Sequence, residues 1–234
     1  MNELSRRTLL SGAVAAAASA LWSEPVLAQY VWEKPNWRAA EFDALARLPR
    51  RIKMVVHAFD INGGRFLRNV KNSLNGLSFG HGVPADQIQI VCALNGPANM
   101  LNYSDYVWEK YHIGEVTRTN DPETGKPAVR NIFYPSNAGS PPRYSSKDPN
   151  SEDSLYQDFT IQGLQARGVR FLSCHTSTEE QARGLAKQNG ASADPEEIAK
   201  DMVAHTMPGV LVVPSVAAAL AALQSDGQYG YMAA

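Results

Sequence analysis

The segment GVRFLSCHTST, from Gly168 to Thr178, contains the pattern that decides the fold. Its short apolar run, Val169 to Leu172, follows a glycine, which is typical of a parallel strand covered on both faces. Serines, threonines and acidic residues come directly after Cys174, as they do at the N-terminus of a helix. The segment therefore predicts a buried strand that ends at Cys174, followed by a helix that begins near Thr178.

Strands and helices alternate on both sides of this segment. The other predicted strands are 52–58, 88–94, 210–214 and 229–232, and the predicted helices are 65–77, 155–166, 178–188, 194–207 and 215–224. Such alternation favours parallel strands joined by helical crossovers. We therefore expect an α/β fold, a three-layer α/β/α sandwich with a mainly parallel five-stranded sheet.

The N-terminal residues are typical of an export signal. Ser5 to Leu10 contains a twin arginine, Gly12 to Leu21 is an apolar run, and Val26 to Ala28 offers a small-residue cleavage pattern. This combination predicts a Tat-type signal peptide over residues 1–28, cleaved after Ala28, and a protein of the bacterial periplasm. The remainder divides into an N-terminal arm, 29–50, and one domain, 51–234.

Composition and charge limit the classes of partner. The chain has 234 residues, 22 Lys+Arg against 23 Asp+Glu, and a formal net charge of −1, so no broad field attracts nucleic acid. No segment after the signal approaches the ~18 continuous apolar residues of a membrane span. We expect neither nucleic acid nor, after signal cleavage, a membrane as partner, and favour a protein or a small molecule.

An irregular insertion interrupts the domain at about 114–154. Prolines such as Pro122, Pro135 and Pro149 exclude long regular structure there. Such a stretch is typical of a lid or an assembly arm, and both alternatives remain open. The apolar residues within 129–134 predict a short strand or an anchor on a neighbouring subunit.

Cys174 is the principal candidate for chemistry. A thiol between a strand end and a helix N-terminus lies near free backbone N–H groups, which stabilise a nucleophilic thiolate. The alternatives are a packing residue or a disulfide with Cys92, the other cysteine of the chain. His175 and His57 both follow predicted strands, where either could stabilise the thiolate or relay its proton, or serve as a structural histidine.

Cofactor and metal sites find little support in the sequence. Cys174, His175 and His57 could in principle hold zinc, but their spacing matches no recognised ligand pattern. The loop from Asp60 to Arg65 has glycines before a helix but lacks the dinucleotide and P-loop patterns, so it is interpreted as a tight turn. We therefore predict no cofactor and no metal.

The segments 168–174, 207–215 and 220–231, together with the strand, helix and strand of 52–95, resemble the DsrE/DsrF-like family of sulfur-relay proteins. The resemblance implies the same five-stranded sandwich and a homo-oligomer, often a trimer or hexamer. In relay members a cysteine near the end of the middle strand carries sulfur as a persulfide, and Cys174 is the corresponding position. The chain differs from those members in its export signal and in its insertion.

Two hypotheses follow from these observations. In the first, Cys174 accepts sulfane sulfur as a persulfide, aided by His175, and a partner protein or small thiol donates or collects the sulfur. In the second, the chain is a noncatalytic oligomeric binding or accessory protein in which Cys174 is inert.

Overall fold

A computed structural model of the chain describes residues 31–135, 144–188 and 194–234. The described residues form one parallel five-stranded sheet in the order β4-β3-β2-β1-β5. The strands are β1 (Ile52–Ala58), β2 (Ile88–Leu94), β3 (Arg170–Cys174), β4 (Val210–Val213) and β5 (Gly230–Ala233). The predicted α/β sandwich with a five-stranded sheet is confirmed.

Eight α-helices of the described residues flank the sheet. They are α1 (Ala39–Ala46), α2 (Arg65–Asn75), α3 (Asp105–Lys110), α4 (Ile113–Val116), α5 (Ile161–Ala166), α6 (His175–Gln188), α7 (Pro195–Ala204) and α8 (Val216–Ser225). Buried side chains of α2, α5, α6 and α7 belong to one apolar cluster, which defines the first face of the sheet. Buried side chains of α1 and α8 belong to the cluster on the second face.

Side chains alternate between these two faces along each strand. In β2, Ile90 and Cys92 belong to the first cluster, and Val91 and Ala93 belong to the second. Every residue of β2 is buried, as expected for the central strand of a sheet with helices on both sides. In β3 the same alternation places Cys174 on the second face.

Three helix boundaries differ from the prediction by three residues or more, and one of them is the end of α7, at Ala204 rather than near Met207. Helix α6 begins at His175, immediately after β3, rather than near Thr178. Helix α5 begins at Ile161 rather than near residue 155, because Asp158 Oδ1 accepts from the Thr160 N–H and the Thr160 hydroxyl then caps Gly163. Side-chain bonds of this kind end a helical pattern that apolar spacing alone would extend.

The described part of the insertion packs on the first face of the sheet. Its residues 129–134 form no strand, and instead Asn131 Nδ2 lies 2.9 Å from the carbonyl oxygens of Leu101 and Tyr103. Phe133 joins the first apolar cluster. Asn131 and Phe133 therefore pack on the core of their own chain rather than on a neighbouring subunit, and the alternative of a short strand was wrong.

The predicted signal peptide, residues 1–28, lies outside the described residues, as do residues 136–143 of the insertion. Among the helices that the structure describes, none is long and apolar enough to span a bilayer.

Candidate functional site

The strand order creates one topological switch point in the sheet, between β3 and β4. Strand β3 continues into α6 on the first face, whereas β4 continues into α8 on the second face. The carboxyl ends of two strands that diverge in this way are the usual position of ligand sites in open α/β sheets. Cys174, paired with Val213 at the end of β4, lies at this position.

Cys174 is buried at the switch point. The residue is 4% exposed and belongs to the second apolar cluster with Val213 and Val216. Its Sγ accepts a hydrogen bond from the backbone N–H of Val216, at a distance of 3.4 Å. Because Val216 is the first residue of α8, the sulfur occupies the positive end of that helix dipole.

The two cysteines are both free thiols. Cys92 faces the first apolar cluster and Cys174 faces the second, so the sheet separates their side chains and the alternative of a disulfide was wrong. Complete burial raises the pKa of the Cys92 thiol far above its ordinary value, which keeps this thiol protonated and unreactive.

A buried asparagine holds the junction between β3 and α6. Asn99 Oδ1 accepts from the Cys174 N–H and from the Ser173 hydroxyl, both at 2.9 Å. Its Nδ2 lies 2.9 Å from Tyr103 Oη and 3.3 Å from Thr178 Oγ1. Burial raises the pKa of the Tyr103 phenol, which therefore stays neutral within this network. Asn99 therefore fixes the backbone of Cys174 and with it the position of the thiol.

Further hydrogen bonds fix the first turn of α6. The Thr176 N–H and hydroxyl both donate to the Pro214 carbonyl, at 3.2 and 3.0 Å, and so join α6 to the segment that precedes α8. On the other side, Ser177 Oγ accepts from the Gly96 N–H, and Gln181 Nε2 donates to the Gly96 carbonyl. The switch point is therefore held from both neighbouring strands.

His175 lies beside Cys174 and carries an aromatic cover. The Trp32 indole stacks on its imidazole, with ring centroids 3.8 Å apart and planes inclined by 17°. The Glu179 carboxylate is 3.7 Å from Nδ1, which is beyond hydrogen-bonding distance. Burial lowers the pKa of His175 below its ordinary 6.5, so the imidazole is neutral at pH 7. A neutral imidazole can accept a proton from a thiol but supplies no positive charge.

His57 belongs to a separate polar group at the ends of β1 and β5. Its Nε2 is 2.8 Å from Asn95 Oδ1, and its Nδ1 is 3.0 Å from Tyr231 Oη. An amide oxygen only accepts, so Nε2 carries the proton and, in the neutral ring, Nδ1 accepts from the phenol. Strand β2 lies between β1 and β3, and both ring nitrogens already have partners, so the structure does not bring His57 to Cys174.

No candidate metal centre is present among the described residues, in which no three histidine, cysteine or carboxylate side chains come together. Cys174, His175 and His57 therefore do not form the zinc site considered as an alternative.

In the loop after β1, the positive φ angles of Asn62 (42°), Gly63 (58°) and Gly64 (72°) turn the chain tightly into α2.

Asn99 and Trp32 are the site residues that sequence reasoning missed. Asn99 lies 75 residues before Cys174 in the chain, in a 3-10 helix, and no spacing rule relates such an asparagine to a distant strand end. The sequence analysis assigns Trp32 to the N-terminal arm, 29–50, and gives it no role at the site. An aromatic residue just beyond the predicted cleavage position was the available signal for a docking contact.

No protein-family model matches the chain, and neither a curated protein nor a solved structure is significantly similar to it.

Proposed function

We propose that this chain is a periplasmic sulfur-handling protein in which Cys174 carries sulfane sulfur as a persulfide. The Cys174 thiolate attacks the outer sulfur of a donor persulfide, a new S–S bond forms at Cys174, and the donor leaves as a thiolate. Attack on that outer sulfur by an acceptor thiolate then releases Cys174. Each of the two sulfur exchanges is balanced in electrons, so the transfer needs no further oxidant.

The position of the thiol is the observation that supports this proposal. Cys174 Sγ lies at the switch point of the sheet, 3.4 Å from the backbone nitrogen that opens α8. A backbone N–H at a helix N-terminus stabilises a sulfur anion in place of water. The neutral imidazole of His175, next in the chain, is a candidate acceptor for the proton that the thiol loses.

Access to the sulfur requires a local opening of the fold, which we assign to the N-terminal arm. Cys174 is 4% exposed, which is too little for a donor to reach it. The arm approaches the switch point through the Trp32 ring on His175 and is fastened further along by a hydrogen bond from the Arg38 guanidinium to the Val210 carbonyl. Release of the Trp32 stack would uncover His175, the neighbour of Cys174 in the chain, and we take this release as the opening step.

The burial of Cys174 also favours the second candidate, a noncatalytic binding or accessory protein. Phe42, Val213 and Leu223 belong to the same buried cluster as Cys174, and free cysteines often pack in such clusters as small apolar residues. In this function the hydrogen bond from Val216 to the sulfur would serve only to cap α8.

Mass spectrometry after treatment with a polysulfide discriminates between the two candidates. We expect a gain of about 32 Da per sulfur atom on Cys174 of the native chain, absent from Cys174→Ala and retained in Cys92→Ala. Trp32→Ala should form the adduct faster, because it removes the ring that covers His175, and Val31→Ala, at the exposed neighbouring residue, is the control on the same arm. A Cys174 that stays unmodified in Trp32→Ala, with its native fold intact, would reject sulfur chemistry and leave the noncatalytic function.

We propose that the mature protein is in the periplasm, after cleavage of the signal peptide between Ala28 and Gln29. N-terminal sequencing of the exported protein should begin at Gln29, and replacement of Arg6 and Arg7 by lysine should retain the precursor in the cytoplasm.

A further inference from the structure

A cavity of about 550 Å³ lies on the first face of the domain, between α2 and the end of the insertion. Small-molecule sites typically have volumes of roughly 300–1,000 Å³. Cys174 faces the other side of the sheet, so this cavity is distinct from the candidate site described above.

One wall of the cavity is the polar side of α2. Arg68, Lys71 and Asn72 have the spacing i, i+3 and i+4, which places them on one side of a helix. The apolar side of α2, with Leu67 and Leu74, is buried in the first cluster. Packing of the apolar side therefore fixes the direction in which the two cations point.

The other wall comes from the end of the insertion and from the residues that follow it, and it is tied to α2. Lys71 Nζ donates to Gln157 Oε1 at 3.0 Å, and Gln157 Nε2 donates to the Pro149 carbonyl at 2.6 Å. Asn150 and Phe159 complete this wall. The hydrogen bond between Lys71 and Gln157 therefore fixes the two walls relative to each other.

The charges of the residues that line the cavity favour an anion. Arg68 and Lys71 are cationic, and Glu152 is the one acidic residue of the lining. Among the described residues, no carboxylate lies within ion-pair distance of either cation. The Arg68 guanidinium lies over the Phe159 ring, 4.8 Å from its centroid. A stacked guanidinium still presents its N–H groups in its own plane, where they suit the paired oxygens of a phosphate or carboxylate.

We propose that this cavity binds a small oxyanion, a phosphate, a sulfate or a carboxylate. Arg68 binds two of its oxygens, Lys71 supplies charge through the N–H groups that Gln157 leaves free, and the amides of Asn72 and Asn150 donate at its sides. The site is independent of sulfur transfer at Cys174, and failure of either proposal leaves the other standing.

The test is an NMR titration of the purified chain that follows the side-chain amide signals of Asn72, Asn150 and Gln157. Inorganic phosphate, sulfate and acetate are added separately at constant ionic strength, with sodium chloride as the reference. We expect saturable shifts for at least one oxyanion. The anion that binds with the highest affinity identifies the preferred class of ligand. Shifts that follow ionic strength alone, or that never saturate, would overturn the proposal.

Substitutions connect the binding to the two cations. Arg68→Gln and Lys71→Gln should each weaken binding by about tenfold, because each removes a charge-assisted hydrogen-bond donor. Arg65→Gln removes an exposed cation from the same helix but outside this cavity, and it should leave the affinity unchanged. Equal losses in all three variants would indicate general electrostatic attraction rather than a site. A thermal melt of each variant confirms that the native fold is retained.

Discussion

At the scale of single residues, Asn99 is the side chain on which the candidate site depends most. Its amide is fully buried and joins the Cys174 backbone, the Ser173 hydroxyl and Tyr103 in one network. Such a network stabilises a fold only while each polar group has a partner, because a buried group without one bears the full cost of desolvation.

Asn99→Ala should lower the free energy of unfolding by about 3 kcal/mol, because it leaves the Cys174 N–H and the Ser173 hydroxyl without their acceptor. Urea denaturation monitored by circular dichroism measures this loss. Asn69→Ala, on the exposed side of α2, is the matched control and should change the stability by no more than about 0.5 kcal/mol. Equal stability of the two variants would contradict the structural role of Asn99.

His175 should make the stability of the fold sensitive to acid. Burial lowers its pKa in the native state below the ordinary 6.5, so in the acidic range the unfolded chain binds more protons than the native chain does. The free energy of unfolding should therefore fall as the pH drops below about 6.5, and this contribution should level off once the pH is below the lowered native pKa.

The substitution His175→Phe isolates this effect, because it keeps a ring for Trp32 to stack on and removes the titrating group. Urea denaturation at pH values from neutral to acidic should show a smaller acid loss in His175→Phe than in the native chain. Parallel pH profiles for the two proteins would show that His175 does not titrate between the folded and unfolded states in the way proposed.

At the scale of elements, close packing decides where the chain tolerates a side chain. A Cβ on Gly114, in α4, would lie 2.2 Å from the Ala128 carbonyl oxygen, and this contact is with backbone rather than with a side chain that can move. A Cβ on Gly184, in α6, would meet no atom within 4 Å. Both glycines lie in helices, but only Gly114 is required by close packing, because only Gly184 has room for a side chain.

Gly114→Ala should destabilise the fold by about 2 kcal/mol or more, because α4 and the backbone at Ala128 must separate to admit the methyl group. Gly184→Ala should stabilise it by about 0.5–1 kcal/mol, because alanine loses less backbone entropy than glycine when the helix forms. Thermal and urea unfolding of the pair measure both changes, and changes of the same sign would contradict the packing of α4 against Ala128.

The elements also show what apolar patterns predict well. Strands β1 and β2 occupy the residues predicted for them, because both are rich in apolar residues, and the sheet buries β2 completely and β1 in part. The start of α5 was predicted too early, since Asp158 and Thr160 replace the helical hydrogen bonds there with side-chain bonds. The start of α6 was predicted too late, because contacts of Thr176 and Ser177 with neighbouring loops hold a helical turn directly after β3.

At the scale of the whole molecule, the proposal of a trimer or hexamer predicts a definite mass. Phe59 and Tyr231 are 51% and 47% exposed, and burial of large apolar side chains in an interface favours association. Light scattering coupled to size-exclusion chromatography should give three or six times the mass of the mature chain. A mass equal to one chain across the accessible concentration range would reject the assembly.

The sequence by itself determined the alternation of strands and helices and the strand that ends at Cys174, and hence the class of fold. It could do so because the periodicity of apolar residues is a local property of the chain. Only the tertiary structure decided which groups meet at that strand end. It placed Asn99 and Trp32 beside the Cys174–His175 pair, moved His57 to a separate polar group, and buried the thiol on the face opposite Cys92. These contacts join residues far apart in the chain, and strand order and packing, rather than spacing along the sequence, bring them together.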